Sequence, residues 1–100
     1  MSEDALAAAL AALWTKNRDT VLGRAEAVHA TLLDAAADRP TDLAGAAREA
    51  HALAGALGTY GRPGSALFAE VERVLEGGEA EAEADLASLA ARVGQAIAEL

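Results

Sequence analysis

Apolar residues recur along this chain at helical intervals, in four stretches. From about Asp4 to about Ala37 the larger ones are Leu6, Leu10, Leu13, Trp14, Val21, Leu22, Val28, Leu32 and Leu33. Their separations of three, four and seven suit one face of a helix. The polar run Asn17 to Thr20 carries no capping box, so one long helix, with at most a bend, is expected. Asp38-Arg39-Pro40 ends it, because a residue before proline disfavours the α region. Thr41 or Asp42 can cap a second helix through its side-chain oxygen. That helix is expected to reach about Tyr60, with Leu43, Ala46, Ala47, Ala50, Leu53, Ala54 and Leu57 as its inner stripe, and Gly61 suits its C-terminal stop. Pro63 fits the first turn of a third helix. Leu67, Phe68, Val71, Val74 and Leu75 line it, and Gly77-Gly78 closes it. A fourth helix is expected from about Ala80 to the end, through Leu86, Leu89, Val93, Ile97 and Leu100. Glu79, Glu81, Glu83 and Asp85 at its start suit the positive end of a helix dipole.

No single stripe can bury itself, and short connections favour antiparallel neighbours. The pattern therefore predicts an all-α chain, an antiparallel four-helix bundle with a long first helix, forming one domain over residues 1–100. Composition agrees. The chain is 53% hydrophobic with one residue each of Trp, Tyr and Phe, and alanine, the best helix former, supplies much of the apolar content. The net charge of −8 repels phosphate backbones and anionic lipid, which argues against nucleic acid and membrane surfaces as partners. No cysteine is present, so disulfide and thiol chemistry are excluded. No uncharged apolar stretch reaches the roughly 18 residues of a membrane span. The start Met1-Ser2-Glu3-Asp4 is acidic where a signal peptide is basic. A cytoplasmic protein is expected.

The candidate chemistry lies in the second helix, in the run His51-Ala52-Leu53-Ala54-Gly55-Ala56-Leu57-Gly58-Thr59-Tyr60-Gly61. Gly55 stands four residues after His51, on the same helix face. Each such glycine costs a helix interior about 1 kcal/mol relative to alanine. Close approach of another molecule to the imidazole would offset that cost. At about 100° per residue, His51 falls roughly 110° from the centre of the inner stripe, at the edge of the core or outside it. Ala44, Arg48, Gly55 and Gly58 share its side. A lone helical histidine is more often an ordinary surface or boundary residue, and the glycines also suit tight helix packing. His29, with Ala25, Glu26, Leu32 and Leu33 around it, has no such opening and reads as structural or surface.

These residues resemble the histidine-containing phosphotransfer domain of phosphorelays. That family's motif has a helical His, an aliphatic residue at +2, lysine at +3, glycine at +4, an apolar or aromatic residue at +9 and glycine at +10. Here His51, Leu53, Ala54, Gly55, Tyr60 and Gly61 occupy those positions, and Val74-Leu75-Glu76 resembles the end of the following helix. The motif covers about residues 47–76. The resemblance implies a phosphoryl group accepted and donated by His51, in exchange with the aspartate of a receiver domain. The partner would be a response-regulator receiver, a hybrid histidine kinase, or both, with Mg²⁺ on the receiver and no cofactor or metal on this chain. A monomer is expected. Ala44, Ala47, Ala54, Gly55 and Gly58 are the candidate docking residues, with Arg62 as a rim contact. The departure is Ala54, where the family commonly has lysine. Counting without gaps puts a polar residue of the third helix at Arg73, and Arg73 with Arg48 is expected to supply the missing positive charge.

Three other classes compete with this one. Glycines at every third position from 55 to 64 are no phosphate-cradling loop, and Lys16 is the only lysine, so no kinase or ATP site is expected. Glu26 and His29 have the Glu-x-x-His spacing of di-metal bundles, but Arg48 stands at the corresponding place before His51. The strongest alternative is a helical module that docks a receiver or kinase domain without carrying phosphate, which Ala54 favours.

Overall fold

The computed structural model describes residues 2–77 and 85–100. Four helices appear in chain order: α1 (Glu3–Ala36), α2 (Leu43–Tyr60), α3 (Ser65–Glu76) and α4 (Leu86–Ala98). They form an antiparallel four-helix bundle. The described residues contain no strand.

Local chemistry explains the boundaries. Ser2 Oγ accepts the Ala5 amide at 3.1 Å and starts α1. The helix runs unbroken through Asn17 to Thr20. It ends where Asp38 takes a left-handed φ of 57° and Arg39 turns back, its Nε donating to Asp34 Oδ1 at 2.8 Å. Asp42 caps α2 by accepting the Gly45 amide at 2.8 Å. Gly61, at φ 67°, closes it in the left-handed region where a side chain is strained. The third helix starts later than its sequence suggests. Pro63 lies before it, because Gly64 at φ 107° turns the chain and α3 begins at Ser65. Asp85 caps α4, accepting from the Ser88 amide at 2.9 Å. The expected start near Ala80 and the acidic residues Glu79, Glu81 and Glu83 lie outside the described residues.

Phe68, Leu32, Leu53, Leu57, Val28, Val71 and Val93 are the largest fully buried side chains, and each of the four helices contributes at least one of them. The inner stripes hold in outline, with corrections. Leu6, Leu13 and Leu33 in α1 and Leu43 in α2 are between 40% and 51% exposed. Leu43 opens its helix and Leu33 lies off the α1 stripe that faces α2 and α4. Leu6 and Leu13 belong to a part of α1 that no other described helix covers. At about 1.5 Å per residue α1 is roughly 50 Å long, so this one helix accounts for essentially the whole 48 Å length of the molecule and runs beyond its neighbours.

The helices are tied by specific pairs. Asn17 Nδ2 donates to Tyr60 Oη at 3.1 Å, and Arg24 bonds to Glu49 across α1 and α2. Arg18 Nε donates to the Leu100 carbonyl at 3.0 Å, fixing the end of α4 against α1. A Cβ at Gly94 would lie 3.2 Å from His29 Nε2, so that glycine makes room for the ring. His29 is therefore a packing residue between α1 and α4.

Candidate functional site

His51 sits in the middle of α2, and its side chain is 74% exposed. The core face of that helix is set by Ala46, Ala47, Ala50, Leu53 and Leu57, all buried. His51 follows Ala50 by one position, about 100° around the helix, which turns it to the flank. A Cβ added at Gly55 would meet nothing within 4 Å. The ring therefore stands in the open, with bare backbone one turn further on.

One side chain reaches it from another helix. Glu72 of α3 places its carboxylate against Nδ1, with Oε1 at 3.0 Å and Oε2 at 2.9 Å. A carboxylate oxygen accepts, so Nδ1 carries the proton and donates. The other ring nitrogen, Nε2, then has a free lone pair. A second bridge lies toward the other end of the same helix pair, where Ser65 Oγ donates to the Ala54 carbonyl at 2.7 Å. Ser65 and Glu72 are seven residues apart, two turns, on one face of α3. Together they hold α3 in register along α2.

The expected site residues divide. Ala44 and Arg48 are exposed on the histidine's flank, and Arg48 has no ion-pair partner among the described residues. Gly55 is open, as its spacing suggests. Ala54 is partly buried, and its carbonyl is engaged by Ser65. Four assignments change. Ala47 is 1% exposed and belongs to the core, so it offers no contact surface. Gly58 serves packing: a Cβ there would lie 3.3 Å from Ser65 Oγ, and the glycine lets the start of α3 approach. Arg62 is not on the histidine's rim. Its guanidinium lies 5.0 Å over the Trp14 ring, against α1. Glu72 takes the place expected of Arg73, which is exposed one position further round α3.

Glu72 was missed because a charge on a helix surface carries no tertiary address by itself. The helix period held a signal, however. Glu72 lies four residues after the buried Phe68, on the edge of the α3 core stripe, and Arg73 is turned about 100° away from it. Arg73 instead lies close enough to Glu70 to help hold that carboxyl below its ordinary value; the larger cause is the hydrogen bond from Arg92.

No three His, Cys, Asp or Glu side chains gather into a metal-binding group among the described residues. None of their helices is long and apolar enough to cross a membrane. Comparison with family models, with curated proteins and with solved structures found no match to this chain.

Proposed function

We propose that this chain is a phosphocarrier: His51 accepts a phosphoryl group from an aspartyl phosphate on a partner receiver domain and can return it. One observation carries the reading. An exposed imidazole has Nδ1 held by the Glu72 carboxylate, Nε2 without a hydrogen-bond partner among the described residues, and an open, side-chain-free Gly55 one turn further along the helix. An Nδ1–H tautomer presents Nε2 as the nucleophile. Phosphoryl transfer asks mainly for in-line placement and charge neutralisation, which an open flank and a docked partner supply.

The step balances without an acid or base. The Nε2 lone pair forms the N–P bond as the P–O bond to the donor carboxylate breaks, and that carboxylate leaves with the electron pair. Nδ1 keeps its hydrogen, and the phosphorylated ring becomes cationic. The Glu72 carboxylate lies against that charge. Arg48, one turn before His51, is the nearest cation along α2 and would lie beside the incoming phosphoryl oxygens. The receiver, by the family resemblance, brings the aspartate, a lysine and Mg²⁺.

The test is incubation with phosphorylated receiver domains, and separately with phosphoramidate as a small-molecule donor. An acid-labile, base-stable label on the wild-type chain and none on His51→Gln is expected. The second reading, a docking module that binds a receiver without accepting phosphate, rests on Ala54 in place of lysine. Receiver binding with no label on the wild-type chain would favour it and overturn the phosphocarrier.

A further inference from the structure

The first three turns of α1 are not part of the bundle. Trp14 is the first buried residue of that helix, and every described residue before it is exposed except Leu10, which is half-covered. The segment Ala5 to Leu13 consists only of alanine and leucine, so this exposed helix has no polar face anywhere around it. A helix that is apolar all round is ordinarily covered. Its larger side chains, Leu6, Leu10 and Leu13, follow the four-then-three spacing of a helix-pairing seam.

The charges order the segment. Glu3 and Asp4 lie at its tip. At its root are Lys16 and, from the α2–α3 connection, Arg62, with Arg18 beside them already paired to Asp19. Nothing between tip and root is charged. A groove of about 320 Å³ opens at the root between Leu10, Ala11, Trp14, Tyr60 and Arg62. Arg62 has no ion-pair partner among the described residues, and its buried Nε has no hydrogen-bond partner there.

We infer that this overhang is a self-association element: two copies of the chain pair it antiparallel, about a two-fold axis near Leu10. Antiparallel pairing brings the acidic tip of each copy beside the Lys16 and Arg62 cations at the root of the other and closes both leucine seams. Parallel pairing would set Glu3 and Asp4 against their own copies. Such an interface is isologous and closes at two copies, so it forms a dimer and not a fibre. It goes beyond the phosphocarrier reading and does not rest on it. His51 lies nine residues before Tyr60, about 14 Å back along α2 from the root. Both histidines stay open in the dimer.

Light scattering across concentrations up to about 1 mM, where small interfaces still assemble, is expected to show a mass rising toward that of two chains. In Leu6→Asp/Leu13→Asp it should stay at one chain, with the helical circular dichroism of the wild type. The chain has no cysteine, so single cysteines report the register. Leu10→Cys is expected to link to itself on mild oxidation. Glu3→Cys should link to Lys16→Cys in a mixture but not to itself. A wild-type mass of one chain throughout, a dimer that survives the double substitution, or a self-linked Glu3→Cys would each overturn the inference.

Discussion

Nδ1 of His51 and the carboxylate of Glu72 meet at 2.9–3.0 Å across the α2–α3 pair. The pair spans two helices, and its histidine is largely in solvent. Its effect is therefore directional more than energetic, since exposed ion pairs contribute little to stability. A carboxylate at that distance favours the tautomer with the proton on Nδ1.

Glu72→Gln keeps a side chain of the same length but removes the charge that favours Nδ1–H. Nitrogen-15 chemical shifts of the His51 ring are expected to move toward the other tautomer. Label uptake from phosphoramidate should slow about three- to tenfold, the size of an exposed charge-assisted bond. Thermal stability should be almost unchanged. Unaltered ring shifts would show that Glu72 does not set the tautomer.

Gly55 separates folding from the proposed phosphoryl transfer. Gly55→Ala should raise stability by about 0.5–1 kcal/mol, because the site is open and alanine is the better helix former. Gly94→Ala should gain less, since its Cβ would crowd His29 Nε2 at 3.2 Å. Gly55→Leu should fold normally and fail to exchange phosphate with a receiver domain. Urea denaturation and the transfer assay, run on the same three proteins, check all of this.

Phe68 fills the space between α3 and the rest of the core at 0% exposure. Phe68→Ala should cost about 3–5 kcal/mol, from lost transfer energy plus the cavity left behind. Against a total of about 5–15 kcal/mol for a domain of this kind, that leaves a marginal or unfolded protein at 37 °C. The midpoint of a urea titration is the measurement.

Glu70 on α3 and Arg92 on α4 form a two-pronged pair at 2.7 and 2.8 Å. The hydrogen bond from Arg92 is the main cause that holds the Glu70 carboxyl below its ordinary value of 4.5. A carboxyl with a lowered folded-state value stabilises fully above the unfolded value, and that contribution is lost as the pH falls through the folded one. Melting temperatures measured from pH 7 downward should therefore fall less steeply in Glu70→Gln than in the wild type on the acid side of pH 4.5. At neutral pH the two proteins should differ only slightly, because the pair is partly in solvent.

Much of the fold was legible because it follows from local chemistry. Asp42 and Gly61 bracket α2 as their side-chain and backbone preferences require, and the leucine and valine spacing picks out Leu32, Leu53, Val71 and Val93 as core. The misreadings share another cause. A periodic stripe shows which face of a helix is apolar but not how far along that face a neighbour extends, so Leu6 and Leu13 looked like core. By its own preference Pro63 suits the first turn of α3. The deciding residue is Gly64, which turns the chain at φ 107° and passes close to Leu57 and Phe68, so that α3 begins only at Ser65. For the candidate site, the position of His51 on the flank and the opening at Gly55 follow from helix geometry within α2. Glu72, Gly58 and Arg62 depend on which helix lies alongside, and no spacing within α2 carries that.

His51 and Glu72 belong to consecutive helices joined by a connection of only four residues, 61–64, and the α2–α3 contact is the most extensive between the described helices, far larger than that of α3 with α4. The His51–Glu72 pair is thus carried by one hairpin, and no described side chain of α4 bonds to it. Transient fraying of the last helix would loosen the core without pulling the imidazole away from its carboxylate, so the His51–Glu72 pair can stay joined while the far side of the domain breathes.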